Sequence, residues 1–444
     1  MKKISIKNIG PLKEIELDLN RINIFIGPQC SGKSTVAKLI SFCNWLEKDC
    51  IFNQSITIVN KDYIYKHLFN YYNLDRYLNE KWELKYESDS LFLKLSEEET
   101  KIYRKEGFVD ISLSKNIYLP SERNMLAIPE IFSLKMSQNY LSEFIDDWIE
   151  IRSHYSSDHS IKIPDVSVSY YFEEKNSRDY IKTKNSKTLF FSQASSGLQS
   201  IIPLCVIMDY ITSWVYKNEE KRSAEKRQKY RRGFQKRFLL EVITKVGEDN
   251  FKKIISLPNE DIEFLKLGIL EKLNNVKNND KSPNFSEDQQ SLFTILETTD
   301  NFLNRLSHPS FSNLVIEEPE QNIFPSTQVQ LVYYILSKLE HRKRQDSLVI
   351  TTHSPYILYA INNCMLAYFV KQQDEMDIKE LTEIPEDSFV NPKIVSVWEL
   401  KDGNIINNST IQDEKGLIRN NFFDKVMHNV MADFKNLLGV WNND

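Results

Sequence analysis

The sequence predicts an α/β protein with a mixed sheet, an antiparallel β lobe and an inserted helical arm. Three observations carry that expectation. Residues 22–26, Ile-Asn-Ile-Phe-Ile, read as a short buried strand; a glycine loop follows at 27–35, and Val36, Leu39, Ile40, Cys43 and Leu46 then recur at helical spacing. Runs of alternating apolar and polar residues at 82–86, 91–95 and 101–104 read as an antiparallel meander. Between 217 and 237 ten residues are Lys or Arg and three are Glu, a local net charge of +7 that breaks from the apolar stretch 201–215 before it.

From the amino terminus, Ile4 and Ile6 alternate with polar residues, Gly10-Pro11 signals a turn, and Ile15, Leu17 and Leu19 alternate again. An antiparallel hairpin therefore feeds the strand at 22–26. Residues 62–78 look helical and are rich in tyrosine. After the meander, 116–119 reads as a strand ending in Pro120-Ser121-Glu122-Arg123, and 131–151 shows helical periodicity. Strand alternation returns at 166–172 and 180–183. Ser195-Ser196-Gly197-Leu198-Gln199 opens the apolar helical run, and 238–305 is largely helical and polar, with 274–284 as a loop. Buried strands follow at 314–316 and 348–350. The tail holds a small hairpin around Asp402-Gly403 and an amphipathic helix ending near Leu438. No internal repeat and no sustained heptad pattern is visible, which argues against a long coiled coil.

Composition bounds the possible functions. A chain of 444 residues suggests roughly two to four domains. Its 41% hydrophobic content is enough for a substantial core, and 27% charged residues is ordinary for a globular protein. A net charge of −5 gives the whole molecule no attraction for nucleic acid, so any such contact must be local. The five cysteines (Cys30, Cys43, Cys50, Cys205, Cys364) show no C-x-x-C spacing, which indicates neither a zinc site nor a disulfide framework and fits a reducing cytosol. The amino terminus lacks an apolar signal-peptide core, and the longest apolar stretch, 201–208, falls short of a membrane span. The expectation is a cytoplasmic protein without membrane contact.

Four stretches carry chemistry. Gly27-Pro28-Gln29-Cys30-Ser31-Gly32-Lys33-Ser34-Thr35 matches G-x-x-x-x-G-K-[ST] between a strand and a helix. The glycines let backbone N–H groups turn inward around phosphates, and the helix amino terminus adds partial positive charge. Lys33 would reach the β- and γ-phosphates and Ser34 would ligate Mg²⁺. At the end of the strand 314–316, Glu317 would hold the metal through its water shell and Glu318 would act as general base. His353, directly after the strand 348–350 and 35 positions beyond Glu318, can hold the attacking water near a γ-phosphate. Ser196 and Gly197, opening a helix, make a second anion site.

Together these stretches resemble the ATP-binding cassette (ABC-type) P-loop ATPases, and within them the RecF/SMC-like branch. The resemblance covers roughly 1–215 and 306–395. Gly27, Gly32, Lys33, Ser34 and Thr35 fall on the Walker A loop, Glu317 and Glu318 on the Walker B acids, and His353 on the switch histidine. Ser196, Gly197 and Gln199 fall on the signature motif. Lys7, Asn8 and Ile9 fall where family members often touch base or ribose, and they read equally well as a plain hairpin end. Glu122 and Arg123 fall on the Q-loop region, where they make either a local salt bridge or a coupling between nucleotide and helical lobe. Leu198 replaces a second glycine and Glu317 a usual aspartate, departures shared with the overcoming-lysogenization-defect (OLD) nucleases and related bacterial defence ATPases. The phrases IEEPEQNIFPSTQ and TTHSPYIL look most like ATPase subunits of anti-phage systems, the PARIS type first and Septu or retron-associated ATPases next.

The resemblance implies a slow ATPase using ATP and Mg²⁺. It implies a homo-oligomer, a head-to-tail dimer or a ring of dimers, whose sites are shared between subunits. OLD-type proteins continue into a Toprim nuclease with clustered acids. The tail here has none, so the implied effector is a separate nuclease, Toprim-like or HNH. The domains expected are 1–215, an inserted arm at 216–305, 306–395, and a terminal hairpin and helix at 396–444. Lys226, Arg227, Arg231 and Arg232 in the arm could meet DNA or an acidic protein trigger. The alternative function is a DNA-repair or DNA-binding ATPase of the RecF/SMC type.

Overall fold

The computed structural model describes residues 2–53, 61–105, 114–185, 187–217, 310–339, 344–373 and 381–441. The arm, and with it Lys226, Arg227, Arg231 and Arg232, lies outside the described residues.

The amino-terminal hairpin forms as its alternation requires. β1 (Lys2–Ile9) pairs antiparallel with β2 (Leu12–Leu19), setting Ile4 opposite Leu17 and Ile6 opposite Ile15, all four buried. β3 (Ile22–Ile26) is buried at every position and leads through the glycine loop into α1 (Lys33–Asn53). The tyrosine-rich stretch after it does not make one helix. It breaks into short turns at Lys61–Ile64, Tyr65–Asn70 and Asp75–Tyr77, and Leu78 already opens β4 (Leu78–Glu87). β5 (Leu91–Ser96) and β6 (Thr100–Arg104) complete the meander, which adds to the hairpin as one five-stranded sheet, β2-β1-β4-β5-β6. Asn8 sits where the β1–β4 register shifts, a bulge that gives it φ of 53°.

β7 (Ser114–Leu119) follows. The helix expected from 131 begins only at Tyr140: α2 (Tyr140–Arg152) starts where Asn139 caps the amides of Leu141 and Ser142, and Ser142 caps back. A four-stranded antiparallel sheet contains β8 (Ile161–Lys162), β9 (Val168–Glu173), β10 (Arg178–Thr183) and β11 (Thr188–Phe190). Its two shortest strands carry too few residues to show alternation in sequence.

The remaining elements are α3 (Ser196–Asp209), β12 (Phe311–Glu317), α4 (Pro325–Lys338), β13 (Ser347–Thr351), α5 (Pro355–Lys371), β14 (Val395–Lys401), β15 (Asn404–Ile405) and α6 (Phe422–Trp441). The central sheet runs β15-β14-β3-β13-β12-β7. Its five long strands are parallel and β15 is antiparallel to β14, so the sheet is mixed. The tail hairpin around Asp402-Gly403 is therefore more than a terminal ornament: its first strand pairs with β3.

Both faces of this sheet are covered, which is why its strands read as continuous apolar runs. Ile22, Ile24 and Ile26 join one core with Trp148, Leu204, Leu331 and Ile361 from α2, α3, α4 and α5. Phe25, Val315, Val349 and Trp398 face the other, where Leu39, Phe42, Cys43 and Leu46 of α1 meet the antiparallel lobe. Glu47 ties α1 to that lobe, accepting hydrogen bonds from Ser88 and Ser90 and an ion pair from Lys2 at 2.9 Å. The helical segment from Ser196 to Lys217 is long and apolar enough to cross a membrane, but it is mostly buried within this core.

Candidate active site

Strand β3 ends at the sheet's carboxyl edge, and the chain turns tightly there. Gly27 adopts φ of +141°, and a Cβ on it would lie 2.1 Å from the Leu400 carbonyl at the end of β14, so only glycine fits. Lys33, 5% exposed, folds into its own loop: Nζ donates to Gly27 O at 2.9 Å, Pro28 O at 2.7 Å and Ser31 Oγ at 3.3 Å. Burial lowers the Lys33 pKa to about 8, even though Glu318 and Glu320 nearby favour its charged form. Ser34 begins the helix beside Glu317, and Thr35 is buried behind it.

Glu317 closes β12, buried, with burial raising its pKa; Tyr118, Lys38 and Ser34 pull the other way. Glu318 follows in the left-handed region at φ of 44°, a strained conformation for a non-glycine residue, held by its amide donating to Thr351 O at 2.9 Å. The turn aims its half-exposed carboxylate outward, where Oε1 lies 3.6 Å from His353 Nε2. Burial and Lys33 keep the His353 pKa below its ordinary value, favouring the neutral imidazole, while Glu318 and a hydrogen bond to the Gly27 backbone oppose this. Lys33, Glu318 and His353 thus meet at one place, at the carboxyl ends of β3, β12 and β13, where α/β sheets bind ligands.

One site residue had escaped the sequence reading, and a second, Arg123, had been left between two roles. Glu320 accepts the His353 amide at 2.6 Å and so fixes the turn after β13; its only sequence signal is a third acid in the Glu-Glu-Pro-Glu string. Arg123 is fully buried and makes no salt bridge with Glu122, which instead accepts from Ser121 and Tyr140. The guanidinium spans the site, donating to Glu317 O at 2.8 Å, Glu318 O at 2.5 Å, Pro120 O at 3.2 Å and Ser200 O at 3.1 Å. It joins the ends of β7 and β12 to α3. Of the two readings of this pair, the local salt bridge is absent, and the link made by Arg123 runs to the helix α3.

The remaining predicted residues lie apart from this meeting point. Ser196 is exposed at the start of α3, and Ser195 caps the helix by accepting from the Leu198 amide at 3.5 Å. A Cβ on Gly197 would come within 2.8 Å of the Asn322 carbonyl, so glycine lets α3 approach the loop after Glu318. Gln199 turns back on Ser192 O and Ala194 O. Among the described residues no hydrogen bond joins Ser196, Gly197 or Gln199 to Gly27–Thr35. Asn8 donates to Glu80 O at 3.0 Å, anchoring the bulge to β4.

The donor set fits Mg²⁺. Glu317 Oε1 is buried without a hydrogen-bond partner among the described residues, beside the Ser34 side chain. Of the eight such buried polar atoms, five belong to Tyr118, Glu317, Glu320, Gln321 and Thr351, all around the ends of β7, β12 and β13. No group of three or more His, Cys, Asp or Glu side chains among the described residues is arranged to hold a metal. A site of one carboxylate and one hydroxyl suits an ion that keeps much of its water and shares substrate phosphates.

No protein-family model matches the chain, and no curated protein sequence does. Among solved structures the chain is similar to the SMC head domain from Thermotoga maritima, at 10% identity and a TM-score of 0.32 over 81% of this chain and 90% of that one. It is similar to the recombination mediator protein RecF of the RecFOR pathway, at 12% identity and 0.29 over 91% and 96%. It is also similar to a dimeric ATP-binding cassette in a post-hydrolysis state bound to ADP and Pi, at 10% identity and 0.26 over 90% and 96%. At such low scores the functional reading rests on the geometry of the site and not on these likenesses.

Proposed function

We propose that this chain is a Mg²⁺-dependent ATPase whose complete sites form between two subunits. The observation that carries the reading is the convergence of Lys33, Glu318 and His353 behind a glycine loop that opens a helix. Gly27–Thr35 would cradle the phosphates, with Lys33 exchanging its loop carbonyls for phosphate oxygens. Glu317 and Ser34 would hold Mg²⁺, which when bound offsets the phosphate charge. Glu318 would take the proton of the attacking water as general base, and neutral His353, within reach of the Glu318 carboxylate, would orient that water. Arg123 is a positioning residue: it fixes the peptide carrying both acids relative to α3 without touching substrate. Exposed Ser196 and half-buried Gly197, without a hydrogen bond to the loop of their own chain among the described residues, would complete the site of a second subunit.

The finer reading is a sensor or regulator of a separate effector nuclease in anti-phage defence. Its support is the phrasing of Ile316–Gln328 and Thr351–Leu358, and co-purification with a nuclease encoded beside it is the test that decides it. The enzymatic reading is tested by ATP turnover of the purified chain and of Glu318→Gln. Turnover should fall by about 10²- to 10⁴-fold while nucleotide affinity stays unchanged. Undiminished hydrolysis in the variant would remove Glu318 from the mechanism.

A further inference from the structure

Among the described residues, the hydrogen bonds that tie α6 to the rest of the chain come from its first turn. Asn421 caps it by accepting from the Phe423 and Asp424 amides, the Phe422 amide donates to buried Glu399 at 3.2 Å, and the Tyr359 hydroxyl donates to Asp424. Beyond Phe423 every residue to Leu438 is exposed, save half-buried Ala432. A solvated helix should be polar all round, and this one is not. Met427, Val430, Met431, Phe434 and Leu437 are 57–71% exposed. At 100° per residue they fall within an arc of about 120°, a stripe of the width that core-facing helices bury. Leu438, 37% exposed, falls within the arc, and Val426, 44% exposed, widens it by about 20°.

We propose that this stripe is the docking face for the same helix of a second copy, laid antiparallel. The charges on its flank choose both occupant and direction. Asp424 and Lys435 stand on the same side of the stripe, about 20° apart around the axis and near its two ends. In a parallel pair the two copies of this flank lie on opposite sides of the seam, and Asp424 and Lys435 gain no partner from each other; antiparallel, the flanks face one another, Asp424 of each copy meets Lys435 of the other, twice over, and the helix dipoles oppose favourably. Lys435 has no ion pair among the described residues. Asp424 is exposed, although its carboxylate already accepts from the Tyr359 hydroxyl and from the Asn421 backbone and side-chain amides. One helix presents fewer residues than the roughly 20–30 per side of a standard interface, so the pairing is weak and concentration-dependent. It needs no nucleotide and stands independently of the ATPase reading.

Sedimentation of the full chain without nucleotide tests it. The wild type should show a monomer–dimer equilibrium, and Met427→Glu/Phe434→Glu should be monomeric at the same concentrations with an unchanged circular dichroism spectrum. A second measurement fixes direction in a Cys30→Ser background, because Cys30 is the exposed cysteine. Asp424→Cys mixed with Lys435→Cys should cross-link through a short bis-maleimide at least several-fold better than either variant alone. A wild type that stays monomeric overturns the proposal, as does a dimer that survives the double substitution. Self-cross-linking of Asp424→Cys equal to that of the mixture overturns the antiparallel arrangement. A monomer that instead binds anionic vesicles through the stripe assigns the face to a lipid surface and overturns it too.

Discussion

The helix starts of α1 and α3 are built from the same residue types and treated in opposite ways. Before α1, Ser31, Lys33 and Thr35 are 4–5% exposed, and the ammonium is satisfied by its own loop. At the start of α3, Ser195 and Ser196 are exposed, and their one side-chain hydrogen bond among the described residues is a cap at the long limit of 3.5 Å. Serine and glycine at a helix start are equally suited to an anion in both places. The difference lies in what surrounds them. The first is preorganised within one chain; the second is a surface, which is the form a contribution to another subunit's site should take.

Substitutions can break that contrast. Lys33→Ala should weaken ATP binding by about 100-fold or more, since it removes a buried charge that pairs with phosphate. Ser196→Arg should leave the affinity of the isolated chain within about threefold, because that residue lies on an exposed face. Titration with a fluorescent ATP analogue compares the two. Equal losses would mean that both helix starts serve the same chain's nucleotide.

Mixing the two variants sharpens the comparison. Each alone should be inactive in turnover. In a two-fold dimer of one copy of each, one site is doubly impaired and the other is intact. With random pairing, equimolar mixing should restore about a quarter of wild-type hydrolysis, whereas sites confined to single chains would restore none.

How much of this could be read from sequence follows from the range of the interactions. The loop, its strand and helix, and the carboxylates after β12 are local patterns, and the structure places them where their spacing predicts. Arg123 was legible as a charged residue after a strand with two open roles, and the choice between them was hidden because three of its acceptors, Ser200, Glu317 and Glu318, lie 77 to 195 positions away. Backbone carbonyls of distant residues leave no mark in composition. The left-handed turn at Glu318 was hidden likewise, since a glutamate gives no conformational signal. β14 reads as one arm of a terminal hairpin, and its pairing with β3 joins residues more than 370 positions apart. Overreading had a local cause as well: the apolar spacing from 131 mimics one helix, but Asn139 and Ser142 start it anew.

The finest difference between the two helix starts is electrostatic, and pH should expose it. Burial holds Lys33 at about 8 against an ordinary 10.5, whereas Ser196 carries no titrating group. Phosphates bind the ammonium form, so above pH 8 binding must take up a proton. Relative to pH 6.5, the dissociation constant for ATP should rise about twofold at pH 8 and about tenfold at pH 9, as single-proton linkage requires. Lys33→Arg, charged throughout, should flatten that rise. Loss of folding cannot imitate it, because the sign is opposite. Between pH 8 and 10.5 the unfolded chain holds the Lys33 proton more tightly than the folded one, so this group adds stability as pH rises. Affinity that falls while the melting temperature holds or climbs would place the titration at Lys33, and an affinity flat to pH 9 would mean that its ammonium is not the group that meets the phosphates.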